Sequence, residues 1–250
     1  MPTFTPDSSC FRALNTSSES IPEWMGSFSL SASPNTDLWK LPSGDTSTCP
    51  ILYTSMRHPF VSAEVLVSSD CWQMEWDQAG LVIFAGQPPG RTIPSSSSNP
   101  ISDSTNTESA SRDSSNLSPA TSNPENPPPY TLPPPASKWV KVGLEYSNNA
   151  CQASSVSATT DGADWTISAL PLSQAHKQDL RIKFERMGNA LWIYYQNSQG
   201  WQKIREVTMF FLGVEPKSVR VGVYVSRPAN FAPSTTQSLL RVEFDELQIF

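Results

Sequence analysis

The chain has 250 residues, with 17 Lys+Arg against 23 Asp+Glu and a formal net charge of −6. A surface built to neutralise phosphate backbones needs the opposite balance, which excludes nucleic-acid binding. The 8 Trp and 11 Phe are enough for a sizeable core, while no run of about 18 apolar residues exists to span a membrane.

The N-terminal stretch lacks the basic start and apolar segment of a secretory signal, so a cytoplasmic setting is expected. In that compartment Cys10, Cys49, Cys71 and Cys151 stay as free thiols, and the Asn15-Thr16-Ser17 acceptor pattern stays idle. These scattered cysteines with only His58 and His176 cannot supply the roughly four ligands of a zinc site. No metal and no cofactor is expected.

In chain order, short runs of β-branched and aromatic residues predict strands at 51–54, 60–68, 72–76 and 78–84. Composition then breaks. Residues 87–137 hold twelve of the 23 prolines, most of the Ser runs and a lone aromatic, Tyr130. Such a stretch buries too little apolar surface to offset its ordering entropy, so a disordered insertion is expected. Closure entropy grows only slowly with loop length, which lets an insertion of this size sit between two strands of one domain spanning 1–250. The alternative is a linker between two separately folding pieces.

Strands resume at 138–146, 154–159, 165–169, 180–186, 190–196, 202–209, 218–226 and 239–249, with one short helical turn within 170–177. Met187-Gly188-Asn189 and Ser198-Gln199-Gly200 read as tight turns. The class is all-β, and two packed antiparallel sheets are the expected architecture. Alternation puts Ala79, Leu81 and Ile83, then Val140, Val142 and Leu144, then Val219, Val221 and Val223 on core faces.

Several segments carry a resemblance. They are Asp77-Gln78-Ala79-Gly80-Leu81, the run from Trp139 to Tyr146 (WVKVGLEY), Asp161-Gly162-Ala163-Asp164-Trp165, Arg205-Glu206, Val221-Gly222-Val223 with Ser226-Arg227-Pro228, and Val242-Glu243-Phe244-Asp245. Together they resemble the YesU-like, regulation-of-enolase family. The likeness covers roughly 20–86 and 138–250. It implies a concanavalin A-like jelly-roll β-sandwich and a link to carbohydrate metabolism, and offers no catalytic residues to carry over. The Ser/Pro-rich insertion departs from the compact family pattern.

Three groups of residues are candidates for function. On the faces opposite the core, Trp76, Gln78, Trp139, Lys141, Glu145, Tyr194 and Tyr224 can line a concave groove, where flat aromatics stack on a sugar or metabolite and polar groups bond its hydroxyls. The bland reading of the same pattern is a wet strand face, with Trp139 packed on a loop. Glu75 and Asp77 share one strand face as a glycosidase pair would. The third acid of the glucanase run is missing, however, and both fall in phase with the core. Pro127-Pro128-Pro129-Tyr130 matches the pattern that WW domains bind in polyproline II form, and Ser118-Pro119 is a minimal phosphorylation site. No Ser/His, Cys/His or phosphate-loop arrangement is present.

The reading that results is a noncatalytic binding or regulatory protein, with a saccharide or small metabolite as ligand and a WW-domain protein as partner. The alternatives are a carbohydrate-active enzyme with acids not yet placed, and an interaction module acting through the Pro-rich insertion.

Overall fold

A computed structural model describes residues 5–89, 138–171, 174, 177–229 and 239–250. Among these the strands run β1 (Phe11–Leu14), β2 (Ser27–Ala32), β3 (Leu38–Leu41), β4 (Gly44–Ser47), β5 (Ile51–Ser55), β6 (Ser62–Ser68), β7 (Gln78–Ala85), β8 (Lys138–Ser147), β9 (Ala150–Ala158), β10 (Ala163–Ala169), β11 (Asp179–Met187), β12 (Ala190–Asn197), β13 (Gly200–Val207), β14 (Val219–Ser226) and β15 (Leu240–Ile249). The fold is an all-β jelly-roll sandwich of the concanavalin A-like kind.

A seven-stranded sheet has the order β1-β5-β14-β7-β8-β9-β10, and a six-stranded sheet the order β13-β12-β11-β6-β15-β2. β7 and β8 pair antiparallel from Gln78 opposite Glu145 to Ala85 opposite Lys138. Strands from before and after residues 90–137 are interleaved in both sheets. The expected insertion at 87–137, with Pro127, Pro128, Pro129 and Tyr130, lies outside the described residues from position 90 onward. So does His176, and half of the helical turn expected at 170–177; there Lys177 N–H donates to the Gln174 carbonyl.

The strict alternation produces the main core. Leu81, Ile83, Val140, Val142, Val221 and Val223 meet Val65, Leu180, Ile182, Phe184, Val242 and Phe244 between the sheets. The outward face of the seven-stranded sheet is largely buried, contrary to the bland reading of a wet strand face. A second apolar cluster there joins Leu14, Leu38, Ile51, Tyr53, Val82, Phe84, Trp139, Val156 and Tyr224. Part of its cover is the small β3–β4 hairpin, which contributes Leu38 to the cluster and packs Trp39 against it.

Two local expectations fail for identifiable reasons. β1, β3 and β4 are only four residues long, and β2 (SFSLSA) and β4 (GDTS) are largely small and polar, so they carry little β signal. Residues 72–76 form no strand. The Asp77 carboxylate accepts the N–H groups of Gln73 (3.1 Å) and Met74 (2.9 Å), which would otherwise be free for a strand ladder.

Candidate functional site

The turn ahead of β7 is built around Trp76, whose backbone sits in the left-handed region at φ 68°. A bulky residue adopts that conformation only when its surroundings impose it. Here Trp76 N–H donates to the Tyr146 carbonyl (2.8 Å), Tyr146 N–H donates to the Asp77 carbonyl (2.8 Å), and Asp77 N–H closes the turn on Met74 (3.0 Å). Gln78 clamps the turn from inside. Its Nε2 donates to the Trp76 carbonyl at 3.3 Å while its Oε1 accepts from the Tyr224 hydroxyl at 3.3 Å. The result is an indole that stays 46% exposed at the rim of a cavity.

That cavity holds about 400 Å³. Its walls are three indoles, from Trp76, from Trp39 on β3 and from Trp165 on β10. Its polar groups are Gln78 on β7, Glu145 on β8 and Asp37 just before β3, with Val156 and Pro228 completing the lining. Size and mix suit a small organic ligand.

The register explains why room exists here. Gly80 stands opposite Gly143, with Tyr224 and Ser154 as their outer neighbours. A Cβ on Gly80 would collide with the Val142 carbonyl, and one on Gly143 with the Ala79 carbonyl. The strands need glycine at both positions, and the row next to Gln78 and Glu145 on that face is left without side chains.

Glu145 is 1% exposed. The Trp165 indole N–H reaches its Oε2 at 3.3 Å and the Ser154 hydroxyl at 3.3 Å. Burial pushes the Glu145 carboxyl above its ordinary value; the Ser154 hydroxyl, the Lys141 charge and the Trp165 indole pull it down without cancelling the shift. Lys141, also 1% exposed, donates to Asp37 Oδ1 at 3.0 Å and lies 5.4 Å from the Tyr224 ring centroid. Asp37 is further fixed by its own neighbours, since Leu38 N–H (2.7 Å) and the Ser226 hydroxyl (3.2 Å) donate to the same oxygen.

The seven expected groove residues therefore divide. Trp76, Gln78 and Glu145 line the cavity. Lys141 and Tyr224 lie behind them as the partners of Asp37 and Gln78. Trp139 does not reach the cavity; it is buried in the second apolar cluster. Tyr194 is on β12, in the other sheet, where Lys183 lies 4.9 Å from its ring. Asp37, Trp39 and Trp165 are the residues that sequence reasoning missed. Trp165 had a signal, since it ends the Asp161-Gly162-Ala163-Asp164-Trp165 segment.

The Glu75 and Asp77 pair is engaged elsewhere. Glu75 Oε1 accepts the Ser147 hydroxyl at 2.6 Å, and Asp77 is fully buried against Arg227. Among the described residues no three His, Cys, Asp or Glu side chains are grouped to hold a metal, and no helix is long and apolar enough to cross a membrane.

The chain belongs to the family described as "Protein of unknown function (DUF1349)", which matches residues 14–250. Comparison with curated protein sequences finds no relative. Among solved structures it is similar to a functionally unknown protein from Saccharomyces cerevisiae, at 17% identity and a TM-score of 0.59, with 98% of each chain covered. It is also similar to the Bacteroides ovatus xyloglucan PUL GH43B protein, at 11% identity and a TM-score of 0.52; that match covers 98% of this chain but 35% of the other. These likenesses establish a shared β-sandwich fold.

Proposed function

We propose that this chain is a noncatalytic binding or regulatory protein whose cavity, between the β3–β4 hairpin and β7, β8 and β10, takes a saccharide or small metabolite. The observation that carries this reading is Trp76. An indole held in a strained backbone conformation at a cavity rim, over a glutamine and two acids, is costly to maintain for packing alone. A glycan and sugar-phosphate array, followed by calorimetric titration of its best ligand, tests the reading. Binding that is lost in Trp76→Ala is expected. A ligand insensitive to Trp76 and Glu145, or none, sinks the proposal.

One observation favours a second reading, a carbohydrate-active enzyme. Glu145 has a raised affinity for its proton and shares the cavity with Asp37, as a general acid and its partner carboxylate would. Hydrolysis of an array glycan, abolished in Glu145→Gln, would establish it in place of the first.

The resemblance to the regulation-of-enolase family supports placing this binding role in cytoplasmic carbohydrate metabolism, which cell fractionation checks. The same proposal treats residues 1–250 as one domain with an insertion at 87–137. It assigns Pro127, Pro128, Pro129 and Tyr130 to a WW-domain partner, for which loss of pull-down in Tyr130→Ala is the test.

A further inference from the structure

The charges around the cavity narrow the ligand. Two carboxylates line it, and no lysine or arginine does among the described residues. The cation nearest in the hydrogen-bond network, Lys141, is buried and paired with Asp37. Arg227 is buried against Asp77. A phosphate or carboxylate entering here would be desolvated beside acids with no exposed cation to receive it.

The hydrogen-bonding groups point the same way. The Gln78 amide is engaged on both sides, by Trp76 and Tyr224, which leaves one Nε2–H as donor, and the Trp165 N–H is turned to Glu145 and Ser154. Among the described residues the three hydrogen bonds to Asp37 all fall on Oδ1, so Oδ2 keeps its acceptor capacity. The cavity is rich in acceptors and short of donors. An ionised carboxylate accepts only, so a matching ligand must bring donors or positive charge. Three indoles line the cavity, and an indole attracts a cation placed over its plane, where the ring quadrupole is negative.

We infer that the cavity is selective for organic cations and takes a ligand carrying an ammonium group, as a free amino sugar or a quaternary ammonium does, in preference to its neutral or anionic counterpart. This rests on the cavity being the ligand site. It goes beyond that reading by fixing the sign of the ligand's charge. A bound cation also favours the ionised form of Glu145, whose charged neighbours are Lys141 on its own strand and Asp37 ahead of β3. Binding therefore releases protons and weakens as pH falls.

The test is calorimetric and fluorimetric titration of the full chain at matched ionic strength. The probes are glucosamine oligomers, N-acetylglucosamine oligomers, glucose oligomers, a sugar phosphate and tetramethylammonium. Glucosamine oligomers are expected to bind about 10-fold or more tighter than the acetylated form, the order of a desolvated cation–π contact. Glu145→Gln, which is isosteric, should remove most of that preference while the melting temperature confirms folding. Trp76→Ala should weaken every bound probe. Tetramethylammonium should displace the amino sugar. Equal or tighter binding of the acetylated or glucose oligomers, or of the sugar phosphate, overturns the cation preference and leaves the saccharide reading standing. Tetramethylammonium bound alone, with no sugar, supports the cation cage and overturns the saccharide reading. No binding of any probe overturns both.

Discussion

Arg227 holds Asp77 in a two-point grip, Nε to Oδ1 at 2.8 Å and Nη2 to Oδ2 at 2.7 Å, and both side chains are fully buried. The pair ties the end of β14 to the turn ahead of β7, across 150 residues of sequence. Arg227 Nη2 also donates to the Cys71 carbonyl at 3.1 Å, while Asp77 Oδ2 takes the N–H groups of Gln73 and Met74. The ion pair thus anchors both ends of the loop that presents Trp76, beside the backbone bonds to Tyr146. Two of the most distinctive sequence segments, Asp77-Gln78-Ala79-Gly80-Leu81 and Ser226-Arg227-Pro228, meet at this point.

Asp77→Ala leaves the Arg227 charge buried without its carboxylate. A loss of about 3–5 kcal/mol is expected, the range for breaking a buried pair from one side. Arg227→Met should cost a similar amount. The double variant Asp77→Ala with Arg227→Met should lose less than the sum of the singles, because no charge is stranded. Denaturant unfolding of the three variants measures this. Simple additivity would mean the two residues act independently.

Trp76→Gly separates strain from packing. Glycine adopts the left-handed backbone freely, whereas a non-glycine residue there costs on the order of 1–3 kcal/mol. The Trp76 carbonyl and N–H bonds survive the substitution. Stability should hold or rise, and ligand binding should fall. A thermal destabilisation beyond about 1 kcal/mol would show that the indole serves packing instead.

Trp139→Ala behaves in the opposite way. Trp139 shares the outward face with Lys141 and Glu145, and alternation alone made it a groove residue. In the structure it is buried in the second apolar cluster, with Phe84 opposite it on β7. Truncating it should cost about 3–5 kcal/mol, as for a large aromatic removed from a core. Chemical denaturation checks this, with neutral stability as the outcome that restores a ligand role.

What the sequence made legible follows from what alternation reports. A strict period of two gives the face of each residue on β7, β8 and β14, so Gln78, Lys141 and Glu145 fall on one face of the sheet, though only Gln78 and Glu145 line the cavity. It does not give the sheet to which a strand belongs. Tyr194 lies on a well-predicted strand, but long-range pairing puts β12 beyond β11 in the other sheet. Nor does it report what covers a face. The hairpin that supplies Leu38 to the second apolar cluster and Trp39 to the cavity is two four-residue strands with little apolar pattern. Asp37 had no local signal at all, since its role is set by Lys141 and Ser226, both far along the chain.

Glu145 gives a pH signature. Its carboxyl is raised in the folded protein, mainly by burial, and ordinary in the unfolded chain. The folded state therefore holds the proton more tightly. Stability from this group is fully present below the ordinary glutamate value and is lost as pH rises through the raised one. Glutamine is neutral throughout and keeps an acceptor for the Trp165 N–H. The melting-temperature difference of Glu145→Gln relative to the parent should therefore be more positive at about pH 8 than at about pH 4. Scanning both proteins across that interval, without ligand, measures it. A difference that is flat or reversed would mean that Lys141 stabilises the Glu145 anion. The acid would then belong to the Lys141–Asp37 ion network and not to the chemistry of the cavity.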